Sequence, residues 1–160
     1  MALGDNTLAS ARGNTQRGRN PYMVQTTLNW ATALSDKGSA LAASDVIPVI
    51  AVPKGTMVLN AGIEVDTATD GSTFTVDLGM VDADVFVDGF DATSAAAVVA
   101  QNPAAYQPVM AVADDNIDVT IATLSGGAVS SGKFRVWAVL MDCTDIGDMA
   151  ANEVDRDTLA

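Results

Sequence analysis

Histidine does not occur anywhere in this 160-residue sequence, and its absence removes a large block of chemistry at once. Serine–histidine–aspartate and cysteine–histidine catalysis, most zinc sites and imidazole proton shuttling all need that ring. Cysteine occurs once, as Cys143, so no internal disulfide can form and stability has to come from packing or assembly. Cys143 follows an apolar stretch with no base nearby in sequence, which reads as a structural thiol and not a nucleophile. Aromatic residues make up only 5% of the chain, too few to build a sugar-stacking platform. No apolar run approaches the roughly 18 residues of a membrane-spanning helix, so no membrane partner is expected. The opening Met1-Ala-Leu-Gly-Asp-Asn has neither a basic leader nor an apolar segment, and no secretory signal is expected.

Basic residues are also scarce. Between Lys54 and Lys133 there is none, while Glu64, Asp66, Asp70, Asp77, Asp82, Asp84, Asp88, Asp91, Asp114, Asp115 and Asp118 all fall in that interval. The net charge is −12, and so acidic a body is repelled by phosphate backbones, which makes nucleic acid a poor direct partner. Arg12, Arg17 and Arg19 are the exception, clustered near the N-terminus beside Asp5 alone. They mark either a flexible tail or a tether onto an acidic neighbour, such as another copy of the same chain.

What the chain does have is 49% hydrophobic residues, much of it Ala and Val. Burial by many small side chains suits sheets packed face to face better than a deep cofactor cavity. The first stretch, Leu8 to Asn20, has no periodicity and reads as an extended arm. From Tyr22 to Leu34 no single period fits, Ser35-Asp36-Lys37-Gly38-Ser39 reads as a turn, and Leu41 to Asp45 as a connector. Regular structure is expected from Val46. Val46 to Val52 carries Pro48, which predicts an edge strand or a bulge. Met57, Leu59, Ala61, Ile63 and Val65 alternate with polar residues, as do Phe74, Val76 and Leu78 beyond the Asp70-Gly71 turn.

Val81 to Asp91 reads as a loop enclosing one short strand, Thr93 to Gln101 as a short helix or a strand, and Tyr106 to Val112 as a further strand. Ile117, Val119 and Ile121, then Phe134, Val136, Ala138 and Leu140, are expected to form a hairpin. Six to eight short strands joined by Gly, Asp and Pro turns predict a mainly β, antiparallel sandwich or jelly-roll-like fold. The expected organisation is an N-terminal arm and connector over 1–45, a sandwich over 46–142 and a C-terminal tail over 143–160.

Two near-motifs fail on their mechanics. Gly127-Ala-Val-Ser-Ser-Gly132-Lys133 matches the start of a phosphate-binding loop. That loop needs Ser or Thr next and a helix beyond it, whereas Phe134 follows and opens a strand-like pattern. Asp82-Ala-Asp84 with Asp88-Gly89 has part of a calcium loop, but Phe86 occupies a ligand position and the closing glutamate is missing. Solvated acidic surface is the default for these carboxylates, with a divalent-ion site between loops as the alternative. No cofactor and no enzymatic activity are expected. Trp137 lies on a strand whose two faces are both apolar, placing it at the centre of a sandwich or at a subunit contact. Arg12, Arg17, Arg19, Tyr22, Trp30 and Trp137 are the candidate contact residues.

The segments Val52-Pro53-Lys54-Gly55 with Val58-Leu59, Phe74-Thr-Val-Asp77-Leu-Gly79, Ile117-Asp-Val-Thr-Ile-Ala-Thr and Gly132-Lys-Phe-Arg-Val-Trp-Ala-Val-Leu-Met-Asp142 resemble small virion proteins of tailed bacteriophages, marine phages in particular. The ending Glu153-Val-Asp-Arg-Asp157 is similar as well. The resemblance implies a head decoration or cement protein, homotrimeric, bound to the major capsid protein on the outer surface of the head and made in the host cytoplasm. It carries no active site over. A tail or fibre component of the same virion, a carbohydrate-binding module and a calcium-stabilised adhesion domain are the alternatives.

Overall fold

The computed structural model describes residues 20–100 and 108–143. Among these, nine strands and one helix follow in the order β1 (Tyr22–Asn29), α1 (Trp30–Lys37), β2 (Val46–Val52), β3 (Thr56–Thr67), β4 (Thr73–Gly79), β5 (Val87–Asp91), β6 (Val98–Ala100), β7 (Val109–Met110), β8 (Asp115–Ser125) and β9 (Lys133–Asp142). Five strands form one antiparallel sheet in the order β1-β9-β3-β6, with β7 also on β3, and four form the other in the order β2-β8-β4-β5. Most consecutive strands therefore alternate between sheets, which is the winding of a jelly roll. The mainly β sandwich expected from the alternation is what the chain adopts.

The hairpin expected from β8 and β9 does not exist. Both strands form where the alternation places them, but β8 pairs with β2 and β4, whereas β9 pairs with β1 and β3. Residues 126–132 cross from one sheet to the other, and Val129 is fully buried within that crossing. Both strands carry a full inward apolar face, so the core is closed by setting these faces opposite one another. Pairing them edge to edge would have left both faces on one side of a single sheet. The Asp70-Gly71 segment is likewise a crossing, from β3 to β4.

The sandwich also begins earlier than the expected boundary at 46. β1 pairs with β9 without interruption from Tyr22 opposite Leu140 to Asn29 opposite Lys133. The chain then turns directly into α1. The Asn29 side chain accepts from the Ala31 N–H at 3.0 Å, and Gly38, at φ 68°, ends the helix by donating to Leu34 and Ser35 carbonyls. The expected turn at 35–39 is thus the end of a helix. A strand joined to a helix with no linker has two periods in thirteen residues, and neither shows cleanly.

Other strands match more closely. β2 is an edge strand with an irregularity between Pro48 and Ile50. Phe74, Val76 and Leu78 face inward, as do Ile117, Val119 and Ile121. In β3 the inward set is Val58, Ala61, Ile63 and Val65, not Met57 and Leu59 with the last three. The register against β9 shifts between Val58 and Asn60, and this bulge exchanges the two faces of the first half of the strand. Within 93–100 the chain forms the strand β6, and of the strand expected over 106–112 the described residues 108–112 contain Val109–Met110.

The core is built mainly of Val, Ile and Leu from the two inner faces, with one aromatic cluster. Trp30 meets Phe74 edge-on at 4.8 Å and Phe134 at 5.2 Å, and all three are fully buried. This cluster closes the end of the sandwich where α1 and the crossings 68–72 and 126–132 gather. Tyr22, Thr56 and Asp142 lie at the opposite end, where both the N-terminal and C-terminal segments leave the same sheet.

Candidate interaction surfaces

The two sheets expose outer faces of different character. On the five-stranded sheet, the outward positions of β9 are Lys133, Arg135, Trp137, Val139 and Met141. In register with them lie Met23 and Gln25 on β1, Met57, Asn60, Gly62 and Glu64 on β3, Val98 on β6 and Met110 on β7. Toward the end where the termini leave, this face is apolar: Met23, Met57, Met110, Met141 and Val139, with Trp137 beside them. Met23 is 63% exposed and Val98 61%. Toward the other end it is charged, and Arg135 donates to Glu64 across the strands at 2.9 Å. Trp137 lies over Gly62; a Cβ there would sit 2.5 Å from the indole and 2.6 Å from the Val99 carbonyl oxygen. Glycine at this position is what lets the ring lie against the backbone.

The outer face of the four-stranded sheet is polar and acidic. Thr73, Thr75 and Asp77 of β4 lie beside Asp118, Thr120 and Thr123 of β8 and Asp91 of β5. Asp77 accepts from the Gly89 N–H at 2.7 Å. Its pKa is nonetheless raised, first by partial burial and then by Asp88 and Asp84. That of Asp118 is raised by burial and by Asp115. Among the described residues neither carboxylate makes an ion pair, and the neighbouring charges repel. Asp91 is shifted the other way by the hydroxyl and backbone N–H of Thr93.

Asp70 has a different task. It accepts from the backbone N–H groups of Ser130 at 2.9 Å and Ser131 at 3.1 Å, and from the Ser130 hydroxyl. These donors hold its pKa down at about 2. The glycine-rich crossing that resembled a phosphate loop is thus bound by a carboxylate of this chain, and β9 follows it as a strand. Among the described residues no three His, Cys, Asp or Glu side chains converge into a group that could hold a metal ion. An open depression of about 440 Å³ is lined by Ala51, Val52, Pro53, Asp114, Asp115 and Asn116, and there Asp114 already accepts from the Lys54 N–H. No helix among the described residues is long and apolar enough to cross a membrane.

The candidate contact residues separate accordingly. Arg12, Arg17 and Arg19 lie outside the described residues. Tyr22 is 45% exposed at the start of β1, and Trp137 is half-buried on the apolar outer face. Trp30 is fully buried between Phe74 and Phe134 and serves the core, not a partner. The outward methionines were missed. The signal for them was the second apolar face already visible around Trp137, extended across the sheet by a register that sequence does not reveal.

No protein-family profile and no curated protein sequence matches the chain. Solved structures do match in fold. A chain of the capsid of Ralstonia phage GP4 superposes with a TM-score of 0.58 at 16% identity, over 78% of this chain and 86% of that one. A chain of the cyanophage Pam1 capsid asymmetric unit superposes with a TM-score of 0.60 at 16% identity, over 88% of this chain and 97% of that one. The chain has the fold of these capsid chains, and the likeness runs through nearly their whole length.

Proposed function

We propose that this chain is a non-catalytic virion structural protein that decorates the outer surface of a phage head, as a homotrimer bound to the major capsid protein. The observation that carries this is the likeness in fold, over most of each chain, to chains of two phage capsids. Charge supports the outer location, since an acidic body is disfavoured beside packaged nucleic acid. The unequal faces support an orientation: the apolar outer face of the five-stranded sheet lies against the shell, and the acidic face of the other sheet points to solvent. Contiguous exposed apolar surface of this kind marks protein contact.

Sedimentation of the purified protein with heads that lack it tests the proposal. Saturable binding at many copies per shell is expected. Failure to bind heads, or binding at a few copies confined to the tail, contradicts it.

A further inference from the structure

Methionine is unevenly placed among the described residues. Of the five there, Met80 is in the core, and the other four stand on the outer face of the five-stranded sheet. Met57 on β3 lies opposite Met110 on β7 and opposite Met141 on β9, so a row of three spans three strands. Side chains directly opposite one another on neighbouring strands stand about 5 Å apart at Cβ. Met23 on β1 lies opposite Val139, the next outward position to Met141 on β9. Met23 is 63% exposed, Met110 37%, and Met57 and Met141 are half-buried, whereas Met80 is only 7% exposed. A small solute in water therefore reaches the four outer thioethers far more readily than the inner one. A thioether is apolar and adaptable, which suits an interface, but a hydroperoxide converts it into a polar sulfoxide.

We propose that these four methionines form an oxidation-sensitive gate on docking. A hydroperoxide converts them to sulfoxides while the subunit is free, which stops the face from seating on the shell, and reduction restores it. At each sulfur a lone pair attacks one peroxide oxygen, and an S–O bond forms as the O–O bond breaks. With hydrogen peroxide the other oxygen takes up the proton and leaves as water, so sulfur loses the two electrons that the peroxide gains. A dithiol acting through methionine sulfoxide reductase reverses the step: the sulfoxide oxygen leaves as water and the thiols become a disulfide. Adjacent S–O groups on Met110, Met57 and Met141 would have to give up water to be buried against an apolar partner, and that cost opposes docking. The core is spared, because Met80 is shielded and the inward side chains of β3 and β9 carry no sulfur. Seating works in the opposite sense, since a covered face excludes the oxidant. The inference rests on the reading that this face is the one that meets the shell.

The test adds hydrogen peroxide to the full chain either before or after mixing with heads that lack it, and quenches with catalase. Peptide mass spectrometry maps the sulfoxides and sedimentation reads binding. Protein treated while free is expected to carry sulfoxide at Met23, Met57, Met110 and Met141 well ahead of Met80, and to keep its circular dichroism. It should bind heads about tenfold more weakly, or worse. Methionine sulfoxide reductases with dithiothreitol should restore binding, whereas dithiothreitol alone, which reverses only disulfide and sulfenic forms of Cys143, should not. Protein docked first should oxidise more slowly at all four positions. A chain carrying Met23→Leu, Met57→Leu, Met110→Leu and Met141→Leu should bind equally before and after peroxide. Undiminished binding by protein with the four sulfoxides, a loss of binding that the leucine chain shares, or equal oxidation of docked and free protein would each overturn the inference while leaving decoration standing. Untreated protein that binds no heads would remove the decoration reading itself, and the gate with it.

Discussion

At the residue scale, three side chains hold the closed end of the sandwich together. Trp30 fills the space between Phe74 and Phe134, and its Nε1 has no hydrogen-bond partner although it is fully buried. Trp30→Ala is expected to cost about 3–5 kcal/mol by leaving a cavity. Trp30→Phe should cost much less, because it also removes an unpaired buried donor. Urea titration of both variants measures the difference.

Asp70 joins the two crossings through its bonds to Ser130 and Ser131. Its folded pKa of about 2 lies below the ordinary 3.8, so its stabilisation is complete above the ordinary value and fades as pH falls toward 2. Asp70→Asn should lower stability by about 1 kcal/mol at neutral pH, with the difference from the parent shrinking below the ordinary carboxylate value and closing only once pH is below about 2. The signs reverse for Asp77 and Asp118, whose folded pKa values are raised. Their ionisation weakens the fold as pH climbs through the raised values. Asp77→Asn and Asp118→Asn should therefore raise the melting temperature at pH 7, with the gain vanishing once pH is below the ordinary carboxylate value.

At the element scale, turns and bulges decide where strands go, and they explain what sequence left hidden. A Cβ on Gly79 would lie 1.8 Å from the Asp82 carbonyl oxygen, so the chain folds back on itself directly after β4. Gly79→Ala is expected to destabilise by about 2 kcal/mol or more, since the clash is with backbone that has to move. A melt of this variant beside Gly89→Ala, where nothing lies within 4 Å of the added atom, separates crowding from the strain of a left-handed residue.

Strands with strict alternation, around Phe74, Ile117 and Phe134, were legible because period 2 is local. Their partners were not. Whether β9 pairs with β8 or with β1 and β3 depends on which apolar faces close a common core, a property of all the strands together. The reversal of faces at Val58 was invisible for a related reason: a bulge adds one residue without altering composition. At α1 the cap residues Asn29 and Gly38 were available as signals, but eight residues give too few turns to establish a helical period.

For the whole molecule, the proposed function turns on the difference between its two faces. Met23 and Met110 are the most exposed large side chains at the apolar end of this face, and burial of either against a shell is worth up to about 1.5–3 kcal/mol. Met23→Glu with Met110→Glu should weaken binding to heads by at least tenfold without altering the fold, as sedimentation and circular dichroism would report. Asp77→Asn with Asp118→Asn, on the opposite face, should leave that binding unchanged. The second apolar face at Trp137 was legible from sequence because its strand is apolar on both sides. The methionines around it became a surface only through the register of β1, β3, β7 and β9.

Electron cryomicroscopy of heads coated with this protein bears most directly on its role. Ordered density is expected over the outer shell, with the methionine-bearing sheet facing inward onto capsid protein and the aspartate-bearing sheet toward solvent. A bare shell after incubation, or subunits seated with the aspartate-bearing sheet on the shell, would contradict it.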